Sequence, residues 1–498
     1  MKNQTINENG SWPIQTLNGQ LLINVLLTVG AGLYTVLFWR PELGLNALLF
    51  GSFLSGVVWL LHPEYRIAPR LWWLTLGVLL SALAVVWQHS LLAQVTHIAS
   101  IFLLLGFAQA RELRFLGFAL LLAVSGLLSA PITWWRRWEY EYEAAFRWVR
   151  TWSYLILLPF GLLLLFFSIY YAANAQFAQL VNLAVAWLPA FSPWKSIALL
   201  LQGLLVMTVL IWPSVWTSDL LNQEKTYSMW KLRRRTRNQG IVPTLALRRH
   251  YYSALLSFAL LNGLLLIVNL TDIQGVWLSQ QGHSAAELSD YVHQGTYLLI
   301  AALGLAMAVI AYFFSGNLHF LQNNQPLKAL AYAWIVQNTI LAISVAGRNF
   351  HYIAEYGLAY KRLGVLWFLI LVVLGLYSLF VLIRERRSLF YLWVVNAWFV
   401  YGSLLLTSFA NWDVLITQYN LHGAHHTKID ALFLLKEVSD KNLPLLINEH
   451  DLLLERSNID AAKVDRLLHF KIERFEKRKS KQGWQGWNWA DQKTQKVL

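Results

Sequence analysis

From Leu21 to Thr407 the chain is a succession of apolar stretches of membrane-spanning length, and their centres hold no Asp, Glu, Lys or Arg. A bilayer core needs about 20 apolar residues per helix, and a charge within it is costly enough that it usually marks a transport pathway or proton relay. Backbone polar groups in hydrocarbon must be satisfied within the segment, which leaves helices as the economical solution for such runs. The fold class expected is therefore all-α: a polytopic helical membrane protein with about twelve transmembrane helices and a small helical C-terminal extramembrane region. Any chemistry is expected at the rims of the membrane.

Composition supports this, with 57% hydrophobic and 13% charged residues in 498 positions, far from a soluble average. Tryptophan and tyrosine gather near the ends of apolar runs, as in Trp72-Trp73, Trp134-Trp135 and Tyr251-Tyr252, where amphipathic rings favour the headgroup zone. The chain has no cysteine, which excludes disulfides, thiolate metal sites and redox motifs. The polar segment 1–20 carries Lys2 as its one basic residue and lacks the charged-then-apolar plan of a signal peptide, so the first span is expected to insert and stay.

Expected spans are Leu21–Trp39, Gly44–Leu61, Leu71–Trp87, Leu91–Phe107, Phe115–Ile132, Ser153–Ala173, Ile197–Trp216, Tyr251–Leu270, Tyr297–Phe314, Ala329–Ala346, Val365–Ile383 and Leu389–Thr407. Residues Gln176–Trp194, shorter and holding Pro189 and Pro193, read as an interfacial or re-entrant helix. The organisation expected is a polar N-terminal segment (1–20), a five-helix bundle (21–132), a basic cytoplasmic linker (133–152), a seven-helix bundle (153–408) and an amphipathic helical tail (409–498).

Basic residues are retained in short cytoplasmic loops. The loop after the seventh span holds Lys225, Lys231, Arg233, Arg234, Arg235, Arg237, Arg248 and Arg249, whereas residues 271–291 hold neither Lys nor Arg. With twelve spans, Arg136, Arg137, Arg147, Arg150, Arg384, Arg386 and Arg387 join the inner side, and the tail falls on the outer side of a bacterial inner membrane. Arg66, Arg70, Arg111, Arg114, Arg348, Lys361 and Arg362 are then exceptions. The cluster Lys231–Arg237 reads as a topology signal, and with it most of the net charge of +14; nucleic-acid binding is not indicated.

Four polar groups stand out: Tyr291-Val292-His293-Gln294-Gly295-Thr296-Tyr297, the turn Arg348-Asn349-Phe350-His351-Tyr352 continuing through Glu355-Tyr356-Gly357-Leu358 to Lys361-Arg362, the segment Asn411-Trp412-Asp413 to Tyr419-Asn420, and Trp484-Gln485-Gly486-Trp487-Asn488-Trp489. In these residues the chain resembles the bacterial multipass membrane proteins grouped as domain of unknown function 4173, with the related group 4153. That pattern has a Tyr-x-His-x-Gly opening of a span, an Arg…Tyr…Tyr-Gly-Leu…Arg turn, an Asn-x-Asp…Tyr-Asn exit and a Trp-containing terminal motif. Asn411-Trp412-Asp413 stands where the pattern has Asn-Pro-Asp, and Ala359 where it has Thr. The resemblance runs from about Arg150 to the C-terminus, and the first five spans match in hydrophobicity alone. It implies architecture and a bacterial membrane setting, with no established activity.

The candidate outward-facing cluster is His293, Arg348, Tyr352, Glu355, Tyr356, Arg362, Asp413, Tyr419 and Asn420. Arg348 and Arg362 with His293 suit an anionic headgroup or carboxylate, because guanidinium offers fixed bidentate donors. The alternative is a clasp that ties the last spans to the tail through pairs of Arg with Asp or Glu. His422, His425 and His426 have helical metal spacing but Gly423 among them and no thiolate, a weak signal, so no metal and no cofactor is expected. Asn262, Gln337, Asn338 and Asn396 within spans read as interhelical hydrogen-bond partners. Expected partners are membrane lipids and, through the tail, another envelope protein; oligomeric state stays open. Three functional classes remain: a scaffold, sensor or assembly partner, first; a transporter or lipid-handling protein without carboxylate coupling, second; and an envelope enzyme at the outer rim, third.

Overall fold

The computed structural model describes residues 17–61, 69–110, 112–141, 162–163, 166–167, 170–171, 173–186, 193–227, 243–272, 285–315, 317–321, 323–423 and 429–498. The described elements are helical apart from one isolated bridge between Ile429 and Ser457. In chain order they are α1 (Leu17–Leu37), α2 (Leu45–Leu61), α3 (Pro69–Gln88), α4 (Leu91–Gln109), α5 (Leu116–Glu141), α6 (Ala175–Ala186), α7 (Pro193–Ile211), α8 (Thr217–Tyr227) and α9 (Pro243–Asp272). Then follow α10 (Ala285–Phe314), α11 (Gln325–Tyr356), α12 (Tyr360–Glu385), α13 (Leu389–Ser408), α14 (Trp412–His422), α15 (Leu443–Asn448), α16 (His450–Arg456), α17 (Ala461–Lys481) and α18 (Trp489–Gln495).

Eight described helices are long and apolar enough to cross a membrane, and Leu21–Leu37, Leu45–Leu61 and Leu298–Phe314 are shorter apolar helices. These coincide with eleven of the expected spans; most of the sixth, Ser153–Ala173, lies outside the described residues. At 12 residues α6 rises about 18 Å, well short of a bilayer core.

The chain forms two compact units, one of residues 1–79, 98–113 and 118–221, the other of 80–97, 114–117 and 222–498. In the first, α1 and α7 approach closely because the face of α7 carries Gly203. A Cβ there would lie 2.8 Å from Tyr34 Cβ and 2.9 Å from Ala31 Cα. Gln109 fixes the end of α4: its Oε1 accepts from Ser214 N at 2.9 Å and its Nε2 donates to Leu122 O at 3.2 Å.

The second unit is organised by α9 and α11. Asn262 Nδ2 donates to Leu330 O (3.0 Å), Gln337 Nε2 to Asn262 Oδ1 (3.0 Å) and Asn269 Nδ2 to Gln337 O (3.1 Å). Ser344 Oγ then donates to Asp272 Oδ2 at 2.9 Å, and Arg348 forms an ion pair with Asp272. Partners advance together along both helices, so α9 and α11 run parallel, with α10 returning between them. Around this ladder Phe258, Phe314, Leu327, Val345 and Leu376 form a buried apolar core. Asn396 Nδ2 donates to Ser378 Oγ (2.9 Å), linking α13 to α12, whereas Asn338 bonds within its own helix to Trp334 O (2.7 Å).

Following the chain through this unit sorts its ends. Arg248, Arg249, Lys328, Arg384, Arg386 and Arg387 lie at the starts or ends of helices away from the tail, the basic end. Asp272, Arg348 and Arg362 lie at the tail end. The α3–α4 corner also belongs to the tail end, since Gln88 Nε2 donates to Phe409 O (3.1 Å) and Trp87 stacks on Trp489 at 6.1 Å. From there α4 rises about 28 Å over its 19 residues. Glu224 Oε1 accepts from the backbone N of Arg114 and Phe115 (both 2.9 Å), and Phe115 meets Trp393 on the first turn of α13.

Arg114 and Glu224 thus lie at the same end of this unit. Arg114 therefore joins the basic end of this unit.

The tail is built on the membrane helices. Its amphipathic segments bury Ile416, Leu434, Leu443, Leu453, Val464 and Phe475, and Ile353 and Leu358 of the α11–α12 turn complete that core. The tail helices and the α11–α12 turn thus share one core.

Candidate functional site

The turn between α11 and α12 is fixed from within. Gly357 takes φ +77°, a region open to glycine at little cost, and a Cβ there would lie 2.5 Å from Asn420 Oδ1. Asn420, on α14, reads the next peptide: Leu358 N donates to its Oδ1 at 2.6 Å, and its Nδ2 donates to Leu358 O at 2.9 Å. Arg362 reaches back to donate to the carbonyls of Tyr356 (2.9 Å) and Gly357, while its guanidinium lies 4.3 Å from the Tyr352 ring centroid. Tyr352 and Tyr356 face each other at 4.8 Å. Asn349 Nδ2 donates to Arg362 O at 3.0 Å, closing the turn.

Arg348 is buried and paired with buried Asp272, so its charge is balanced across α9 and α11. Asp272 lies just beyond the apolar run 251–270, where nothing in the sequence marks it as the partner of Arg348. Glu355 is half-buried on the last turn of α11, and Tyr419 is exposed on α14. His293 belongs to α10, and its side chain lies outside the described residues. His422 is 3.8 Å from Glu449, and His425 and His426 lie outside the described residues. Among the described residues no group of three His, Cys, Asp or Glu side chains is placed to hold a metal.

Asp413 heads α14, where Asn411 caps the helix by accepting from Val414 N at 3.1 Å. Buried Asp413 accepts from Tyr360 on α12 and from Ser439 in the tail, and Lys441 Nζ lies 3.9 Å from its Oδ2. Burial holds the Lys441 ammonium below the usual lysine range, with Asp413 opposing the shift. Behind it is a second buried lysine, Lys471, whose Nζ donates to Leu434 O (3.0 Å), Val438 O (2.9 Å) and Asn442 Oδ1 (2.7 Å). A π-helical turn at Phe433–Glu437 and a 3-10 turn at Asp440–Asn442 bring these acceptors together. Burial lowers the Lys471 pKa to about 7. Sequence reading missed both lysines, because in a tail rich in both charges nothing local separates them from solvated ones.

Above Asp413 is a cavity of about 590 Å³. Leu91, Leu92, Leu363, Trp367 and Leu404 give it apolar walls, and Asn411, Asp413, Glu437, Ser439 and Lys441 give it a polar end. The walls come from the tail-end termini of α4, α12 and α13, so the cavity lies where membrane helices give way to the tail. The C-terminal Trp motif closes the same end: buried Asn488 caps α18 by accepting from Asp491 N at 2.8 Å, and Asp491 pairs with Arg478 at 3.0 Å. Burial alone would raise the Asp491 pKa; Arg478 and the Asn488 hydrogen bond outweigh it and hold the carboxyl below its usual range.

Apolar helices of spanning length, joined by intramembrane amide bonds and carrying a docked helical tail, define a polytopic helical membrane protein. Residues 71–449 match the family described as Domain of unknown function (DUF4153), and the chain belongs to it. The match starts at Leu71, taking in the third to fifth spans that the motifs left out, and stops at Glu449, before the terminal Trp motif. No curated protein and no solved structure matches the chain.

Proposed function

We propose that the protein binds a lipid-like amphiphile at one rim of the membrane, in the cavity beneath its tail. The observation that carries this is the cavity itself: about 590 Å³, apolar along walls made by span termini, and polar at one end. Small-molecule sites of this volume join an apolar lining to a few fixed polar groups. Of the three classes the sequence left open, lipid handling is best supported. The arginines favour the clasp reading, since Arg348 faces Asp272 and Arg362 faces backbone carbonyls. Exposure of Phe470 (63%) and Trp484 (55%) supports a second role for the tail as a surface for an envelope partner.

The setting proposed is the bacterial inner membrane with the tail outside. Support comes from Arg114, Arg248, Arg249, Arg384, Arg386 and Arg387, which share the end away from the tail. The experiment fills the cavity. Gly364 lines it, and a Cβ there meets nothing within 4 Å, so Gly364→Leu is a way to fill the cavity that starts from an unobstructed Cβ. In detergent, the wild type is expected to bind a fluorescent fatty amphiphile and the folded Gly364→Leu protein to lose most of that binding; equal binding would overturn the proposal.

A further inference from the structure

The polar end of the cavity is unevenly satisfied. Both Asp413 oxygens already accept hydrogen bonds, from Tyr360 and Ser439. Lys441, by contrast, has 11% of its side chain exposed, sits 3.9 Å from Asp413, beyond hydrogen-bond reach, and donates from Nζ to none of the described residues. Asn411 spends its Oδ1 on the α14 cap, and its Nδ2 donates to none of the described residues. Unspent ammonium and amide donors beside the amino end of an 11-residue helix are the chemistry that binds a phosphate.

Charge limits which phosphate. Asp413 and Glu437 set two carboxylates against the single cation of Lys441 around the cavity. A headgroup bearing phosphate alone would add to a negative balance, whereas one that also carries an ammonium returns a positive charge. Exposed Glu437 is the carboxylate without a described hydrogen-bond donor and is free to meet it.

We propose that the cavity selects a phospholipid with a phosphoethanolamine headgroup, its phosphate on Lys441 and Asn411, its ammonium on Glu437 and its acyl chains along Leu363, Trp367 and Leu404. This rests on the amphiphile reading above.

The test is native mass spectrometry of the full-length protein in detergent, offered equimolar phosphatidylethanolamine, phosphatidylglycerol and diacylglycerol with identical acyl chains. Wild type is expected to retain phosphatidylethanolamine about tenfold over diacylglycerol, as a charge-assisted contact allows. Lys441→Gln is expected to bring that ratio near one and Lys441→Arg to restore it. Glu437→Gln, at an exposed position, is expected to remove the preference for phosphatidylethanolamine over phosphatidylglycerol. Equal retention of all three lipids, with Gly364→Leu abolishing all of it, overturns the headgroup assignment and keeps the amphiphile reading. Retention of none, or retention untouched by Gly364→Leu, overturns both.

Discussion

Asn420 and Leu358, 62 positions apart, are joined by a two-bond ring in which a side-chain carboxamide mimics a paired peptide. The pairing holds the tail to the α11–α12 turn at the one residue whose neighbour, Gly357, needs a positive φ. The Gly-Leu of the turn and the Asn of the exit are thus one feature.

Gly357→Ala is expected to destabilise the tail by about 1–3 kcal/mol, since both the φ and the approach of Asn420 oppose a Cβ. Asn420→Ala removes both bonds to Leu358 and is expected to cost about 2 kcal/mol. Thermal melts in detergent, followed by tryptophan fluorescence, check both. An unchanged midpoint in each would mean that the turn does not anchor the tail.

Breaking the buried pair Asp272–Arg348 from one side is expected to cost about 3–5 kcal/mol, because the remaining charge stays buried. Arg348→Met with Asp272→Leu is expected to recover most of that loss. A double-mutant cycle on melting midpoints reads the coupling, and additive losses would contradict the pairing.

Lys471 makes tail stability depend on pH. Its folded pKa is about 7, against 10.5 for an unperturbed lysine, so between these values the unfolded state binds the extra proton. Stability is expected to rise through that window, by up to about 1.4 kcal/mol per pH unit, and to be lower but flat in this term below pH 7. Lys471→Met removes the slope while leaving three acceptors unpaired. Melting midpoints of the two proteins at pH 6.5 and pH 9.5 are compared; parallel shifts would show that Lys471 does not titrate there.

Sidedness follows from the hydrogen bond of Gln88 to Phe409, which puts the α3–α4 corner at the tail end. In this cysteine-free chain, single cysteines at Leu91 on the α3–α4 corner and at Asp451 in the tail are expected to react together with an impermeant thiol reagent in intact cells. A cysteine at Arg249 is expected to react after permeabilisation. Labelling of Leu91→Cys and Asp451→Cys from opposite sides would refute the topology.

Much of this architecture was legible because charge-free apolar runs of fixed length admit few folds. The polar residues within the spans, Asn262, Gln337 and Asn396, were legible as interhelical partners since hydrocarbon leaves an amide little else to do. Which residues they meet was not, because Asn262 and Gln337 are 75 positions apart. Arg348 and Asp413 stood out by type alone, while Asp272, Tyr360 and Ser439, their partners, carry no local signal. The place of the α3–α4 corner was hidden in a similar way: it rests on Gln88 touching Phe409.

The parallel run of α9 and α11 also sets an order of events during synthesis. Asn262, Asn269 and Asp272 leave the ribosome long before Gln337, Ser344 and Arg348, and α10 must first cross in the opposite sense. Until the eleventh helix arrives, the ninth carries amide and carboxylate groups whose interhelical partners have yet to be made.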